Sequence, residues 1–289
     1  MPLTGLSIFG DARYLDAARP LFSGGEVEAV EWSVDSWSME EAQDEIDALL
    51  RRYSGAGRLI GHGIQYPVLS SRADKLRASW LKRLKPAVKP YDYAGISVHF
   101  GFATGGNIIE GAPLPVPLCA EALATGKKAL AALAKTVDCR VGIENLALAF
   151  SKRDVAEQGV FIAEMLRDVD GYLLLDLHNI YCQSVNFGVP ILDLARTYPL
   201  ERVLEIHVSG GSWSQHGAKR AKVRRDTHDG RVPEEVFEAL PAVLALCPKA
   251  RFVIFEKLPQ SFKTKADAEG FRADFRRMKT TVTRAKAAA

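Results

Sequence analysis

Tyr172-Leu173-Leu174-Leu175-Asp176 is a run of four apolar residues that ends on a carboxylate. A strand that is apolar at every position, rather than at alternate ones, needs cover on both faces. That is the setting of a parallel sheet flanked by helices. Outward from this run, the chain alternates short apolar segments with stretches of helical spacing. Upstream, strands are read at residues 5–9, 27–32, 58–61, 95–98 and 140–143; downstream, at 203–206 and 251–255. Helices are read at 12–19, 40–53, 71–84, 120–137, 152–169, 191–197, 234–246 and 266–286. Pro20 and Pro86 are expected to stop the first and third helices, because proline lacks the N–H and crowds the preceding turn. Pro233 stands where it favours the start of the 234–246 helix.

Eight such units close into a (β/α)₈ barrel, an α/β TIM barrel. An open doubly wound sheet is disfavoured because no Gly-x-Gly-x-x-Gly follows the first strand. There is no repeat, linker or low-complexity tract, so residues 1–289 are read as a single catalytic domain. Two long connections, 101–117 and 209–231, exceed ordinary loop length and are candidates for function.

Composition narrows the class. The 47% apolar content over 289 residues is enough for a full core, so any metal serves function rather than folding. A net charge of +3 is too mild to argue for nucleic acid. The basic run at 219–225 reads as a solvated loop or as a docking patch for an acidic peptide or partner. Cys119, Cys139, Cys182 and Cys247 form no Cys-x-x-Cys pair, which fits a reducing cytoplasm. Neither a signal peptide nor a membrane span is expected.

The chemistry lies in position. His62, His99, Glu144, Asp176, His207 and Glu256 each stand at the C-terminal end of a strand. In a barrel those ends meet on one rim, where active sites sit. Several carboxylates buried together are too costly without a counter-charge, and cations at the centre supply it. Asp226 and His228, two residues apart, share one face of an extended segment. Asn179 is either a further ligand or a loop cap. His and carboxylate donors suit iron, zinc or manganese rather than a thiolate-selective site. The number of donors implies two or three ions, with Glu144 as a natural bridge. His216, in Gly211-Ser212-Trp213-Ser214-Gln215-His216-Gly217, is either solvated or a substrate contact beside the rim. Cys182 is read as simply buried, and Trp32, Trp37, Trp80 and Trp213 as packing.

Nine segments carry a resemblance. They are Gly61-His62-Gly63, Ser97-Val98-His99, Gly142-Ile143-Glu144-Asn145-Leu146, residues 174–181 (Leu-Leu-Asp-Leu-His-Asn-Ile-Tyr), Val185-Asn186-Phe187-Gly188, residues 205–210 (Glu-Ile-His-Val-Ser-Gly), Asp226-Thr227-His228-Asp229, Val232-Pro233 and Ile254-Phe255-Glu256. In this order and spacing the chain resembles the multinuclear non-heme iron-dependent oxidative enzymes (MNIO), the family of the methanobactin biosynthesis oxidase. The resemblance implies a xylose-isomerase-like barrel holding two or three Fe ions (Fe²⁺/Fe³⁺). It also implies O₂-dependent modification of a ribosomally made precursor peptide, commonly at cysteine, and often a separate peptide-binding partner protein. Carried over, His62, His99, Glu144, Asp176, Asn179, His207, Asp226, His228 and Glu256 would be the metal ligands. The chain departs from the family pattern at His178, Gly211 and Val98, and His178 and His216 are the candidate catalytic residues that would compensate. The same barrel also suits a Zn²⁺ phosphoesterase of the apurinic-endonuclease type, or a sugar isomerase or epimerase using Glu144, Asp176, His207 and Glu256. A storage or scaffold barrel that binds ions without turnover is the non-enzymatic alternative.

Overall fold

The structure is a computed structural model that describes residues 2–36, 43–105, 108–216 and 221–287. Eight parallel strands close into a barrel. In chain order they are β1 (Leu3–Ile8), β2 (Ala29–Ser33), β3 (Leu59–Gly63), β4 (Gly95–His99), β7 (Arg140–Glu144), β8 (Tyr172–Asp176), β9 (Val203–Val208) and β12 (Phe252–Phe255). The pairing β1-β12-β9-β8-β7-β4-β3-β2 returns to β1, so no edge is left open. Two antiparallel hairpins stand on the connections: β5 (Phe102–Gly105) with β6 (Ile108–Leu114), and β10 (Ser212–His216) with β11 (Ala221–Arg225).

The outer layer comprises α1 (Ala12–Ser23), α2 (Gln43–Ser54), α3 (Asp74–Val88), α4 (Ala120–Ala134), α5 (Lys152–Leu166), α6 (Leu177–Phe187), α7 (Ile191–Ala195), α8 (Glu234–Leu246) and α9 (Lys265–Ala287). Their apolar faces and the outward residues of the strands form one core, which includes Leu173, Leu175, Ile206, Val208 and Val253. A second cluster, with Ile60, Tyr172, Leu174, Phe252 and Ile254, plugs the barrel interior below the rim. The Tyr172 ring needs room there. A Cβ at Gly95 would come within 2.6 Å of that ring, so only glycine lets the strand pass so close.

Both prolines expected to stop helices lie inside them. Pro20 is within α1 and Pro86 within α3. Each removes one backbone hydrogen bond, but burial of a whole face outweighs that local loss. In α1 the face is Tyr14, Leu15, Ala17, Ala18 and Leu21, and Asp11 caps the N-terminus by accepting from the N–H groups of Arg13 and Tyr14.

Helix α6 is absent from the sequence reading. Residues Leu177 to Gln183 are all buried, so the segment lacks the polar face that marks an amphipathic helix. It is bounded by Asp176, which accepts from Asn179 N–H at 2.6 Å, and by Gly188 at φ 66°. The connections 101–117 and 209–231 contain the two hairpins rather than irregular loop alone. Residues 40–42 of the expected second helix, Trp37, and Lys219 and Arg220 of the basic run lie outside the described residues.

Candidate metal centre

Strand register brings the rim residues together. His99 pairs with Glu144 across β4 and β7, and Asp176 with His207 across β8 and β9. His62 stands one strand further round, on β3, and Glu256 directly follows β12. Among the described residues four overlapping donor groups result: His62/His99/Glu144, Glu144/Asp176/His207 and Asp176/Asp226/His228 along the rim, and Glu31/Glu205/His207 below it. Within each, one donor atom per residue lies within 4.8 Å of the others. Glu144, Asp176 and His207 each belong to two groups. Glu144 Oε2 is 3.4 Å from His62 Nε2 and 3.3 Å from His99 Nε2. Glu256 joins the set at 3.2 Å from His207 Nδ1 and 3.5 Å from His228 Nδ1.

The neighbours of these residues hold them in place. Ser97 Oγ is 2.8 Å from His62 Nδ1, which leaves Nε2 facing the rim. Asn145 clamps the end of β8 in both directions. It accepts from Asp176 N–H at 2.7 Å and donates to the Asp176 carbonyl at 3.1 Å. Asn179 donates to the Asn145 carbonyl at 2.9 Å, and its Oδ1 has no partner. His228 has φ 50°, a left-handed conformation that is costly for a non-glycine residue and persists where surrounding structure enforces it.

The residues present fit a bound cation. Glu144 Oε2, Asp176 Oδ2, His207 Nδ1 and His228 Nε2 are buried and make no well-aligned hydrogen bond, although Glu144 Oε2 is 3.3 Å from His99, His207 Nδ1 3.2 Å from Glu256 and His228 Nε2 2.9 Å from Asp226. Groups of this kind are rarely left so, and a bound ion or ordered water completes them. Burial, with Asp176 and Glu256 nearby, pushes the Glu144 carboxyl well above the usual range. Burial and Asp226 raise Asp176 to about 7. A cation reverses that tendency by stabilising the ionised donors.

Two buried carboxylates beside the candidate ligands were not singled out from sequence. Glu31, on β2, places Oε2 3.0 Å from His207 Nε2, and Glu205, on β9, places Oε1 3.7 Å from the same nitrogen. Both are fully buried one layer below the rim. Their signal was present, since Glu205 stands two residues before His207 and so shares its inward face. With Nε2 turned to these glutamates, His207 presents Nδ1 to the rim.

His178, a candidate catalytic residue, stands behind the rim. It has no exposed surface, does not line the rim cavity, and sits behind Asp226 with Nδ1 2.7 Å from Asp226 Oδ1. His216 ends β10, and its side chain lies outside the described residues. Cys182 is buried, as expected. The cavity above the rim is small, with a volume of about 50 Å³, and reaches His99, Glu144, Asn179 and Asp226, with Leu146 and Leu148 forming an apolar wall.

The family model described as RiPP precursor modification enzyme MbnB/TglH/ChrH matches residues 18–266. The chain belongs to this family. A member of this enzyme family, it is 30% identical over 226 residues to a UPF0276 protein of Caulobacter vibrioides, covering 78% of this chain and 75% of the other. A UPF0276 protein of Shewanella loihica is 23% identical over 220 residues, 76% of this chain and 74% of its own length. Among solved structures, a xylose isomerase domain protein from Planctomyces limnophilus superposes with a TM-score of 0.64 at 11% identity, covering 99% of both chains. The 3-keto-D-glucoside 4-epimerase YcjR from E. coli gives 0.60 at 15% identity, covering 97% of this chain and 100% of that one. At these identities the likeness is one of fold, a xylose-isomerase-like TIM barrel. Among the described residues no helix is long and apolar enough to cross a membrane.

Proposed function

We propose that this family member is an iron-dependent oxidase that uses O₂ to modify a ribosomally synthesised precursor peptide at cysteine. The observation that carries the reading is the set of three rim donor groups sharing Glu144 and Asp176, with buried donor atoms that make no well-aligned hydrogen bond. One ion does not use so many ligands, whereas two or three do. The family match supports a precursor peptide as substrate, and a separate peptide-binding partner protein belongs to the same reading. The mixture of imidazole and carboxylate, without thiolate, favours iron over a thiolate-selective metal.

His62, His99 and Glu144 would hold one ion, and Glu144, Asp176, His207 and Glu256 a second. Asp176, Asp226, His228 and Asn179 would serve a third. When bound, iron supplies the electrons and open coordination positions that O₂ chemistry requires. The protein's part is to shape and dry the site. Leu146 and Leu148 exclude water from one side of the cavity, and the Ser97 and Asn145 hydrogen bonds hold His62 and Asp176 in place. The cavity admits a side chain rather than a folded partner, which suits an extended peptide offering one residue.

The test is metal analysis and Mössbauer spectroscopy of protein purified without oxygen, followed by O₂-uptake measurements with a cysteine-containing peptide encoded beside its gene. Two or three irons per chain and peptide-dependent uptake are expected. Stoichiometric zinc with cleavage of abasic DNA would instead establish the phosphoesterase chemistry of the same barrel.

A further inference from the structure

Arg224 and His178 stand behind the rim, and the assignment of ligands gives neither a task. Both are buried, and they come from distant elements, β11 and α6. Asn186 fixes the backbone of Arg224 from both sides. It accepts from Arg224 N–H at 2.8 Å and donates to the Arg224 carbonyl at 2.9 Å. The guanidinium lies over the rings of Tyr181, at 5.5 Å, and Trp213, at 5.8 Å from the centroids. From that seat Nη2 reaches His178 Nε2 at 3.1 Å. The other ring nitrogen of His178 is 2.7 Å from Asp226 Oδ1, and that oxygen is 2.9 Å from His228 Nε2.

The arginine decides where the protons are. A guanidinium has donors only and stays charged in proteins. His178 Nε2 must therefore accept, so it carries no hydrogen. An imidazole with one bare nitrogen is neutral and bears its hydrogen on the other. Nδ1–H thus donates to Asp226 Oδ1. The ring is fitted closely, since a Cβ added at Gly211 would lie 2.8 Å from His178 Cε1.

We propose that Arg224 and His178 are positioning residues for Asp226: Arg224 fixes the tautomer of His178, and His178 holds one side of the Asp226 carboxylate so that its remaining lone pairs face Asp176 and His228. The inference rests on the metal-centre reading, in which those three residues share an ion. It also joins the β10–β11 hairpin mechanically to the rim, because the seat of Arg224 is built from Trp213, Tyr181 and Asn186.

Two readouts test it on the full-length chain. The first is ¹⁵N NMR of histidine-labelled protein loaded with diamagnetic zinc. The Nδ1–H form of His178 is expected at neutral pH, and it should be lost as a single species in Arg224→Met and regained in Arg224→Lys. An Nε2–H ring or a doubly protonated ring in the wild type overturns the proposal. The second is anaerobic iron titration with Mössbauer spectroscopy of His178→Phe, which keeps the ring volume, beside His178→Gln. His178→Phe should bind the ion at Asp176/Asp226/His228 about tenfold to a hundredfold more weakly, as loss of a ligand's hydrogen-bond partner does elsewhere. The signal of the ion at His62/His99 should stay unchanged, and His178→Gln, which retains a donor, should recover part of the loss. A folded His178→Phe with wild-type iron content and spectrum overturns the proposal. Wild-type protein that takes up no iron overturns the ligand assignment instead, and the NMR readout still judges the tautomer.

Discussion

At the scale of single residues, the centre works by crowding charges that water cannot screen. Glu144 faces two histidines and belongs to two donor groups, so its loss should be felt at both. Glu144→Gln is expected to lower bound metal by at least one ion per chain and to abolish activity. The far-ultraviolet circular dichroism should stay that of the wild type, because the apolar core is built without the rim. Unfolding of that variant would show that the ions are structural. Glu205 makes a sharper case. Burial, with Glu31 nearby, raises its carboxyl to about 8. The unfolded chain releases this proton near the ordinary glutamate value, so between about pH 4 and about pH 8 the native state holds more protons than the unfolded one. Stability from this group is therefore full at low pH and falls as the pH rises through that window. Glutamine cannot ionise. Metal-free Glu205→Gln should then gain on metal-free wild type as pH rises from about 5 to about 8, read from urea midpoints at a series of pH values. A difference that stays constant across the series would exclude this account.

At the scale of elements, the rim is legible where a strand ends on an ionisable residue, and six of the nine candidate ligands announce themselves in that way. Helix α6 and the hairpins were not legible, for different reasons. Helix α6 is buried along most of its length, which erases the amphipathic period. The β10–β11 hairpin, paired over five residue pairs, is also held from outside by the bonds from Asn186 and from Thr227, whose Oγ1 accepts from Ser212 N–H at 2.9 Å. Asn186→Ala is expected to cost about 1–3 kcal/mol, since it leaves two partly buried backbone groups unpaired. The cost should be local, seen as faster amide exchange in β11 while β8 and β9 keep their protection.

At the scale of the molecule, fold and chemistry occupy separate layers. The lower barrel is plugged by Tyr172, Phe252 and Ile254, and the upper barrel carries the charged rim. Chelating the metal should leave the barrel assembled but lower its melting temperature, because the ions bind only the folded arrangement and the bare rim repels itself. Restoring iron should reverse the shift in a concentration-dependent way, measured by differential scanning calorimetry. A melting temperature indifferent to iron would remove the rim as the binding site.

The alternation of apolar runs with helical spacing, and the ionisable residue closing six of the eight runs, were determined by the sequence alone. These are local properties, and a barrel converts them into a ring whatever its details. The partners of that ring were decided only by the tertiary structure. Glu31 meets His207 across 176 residues and Arg224 meets His178 across 46. Such contacts depend on strand register, including the register shift between β8 and β9, and on how a hairpin seats against a buried helix. No spacing along the chain encodes them, because they arise from closure of the barrel in three dimensions.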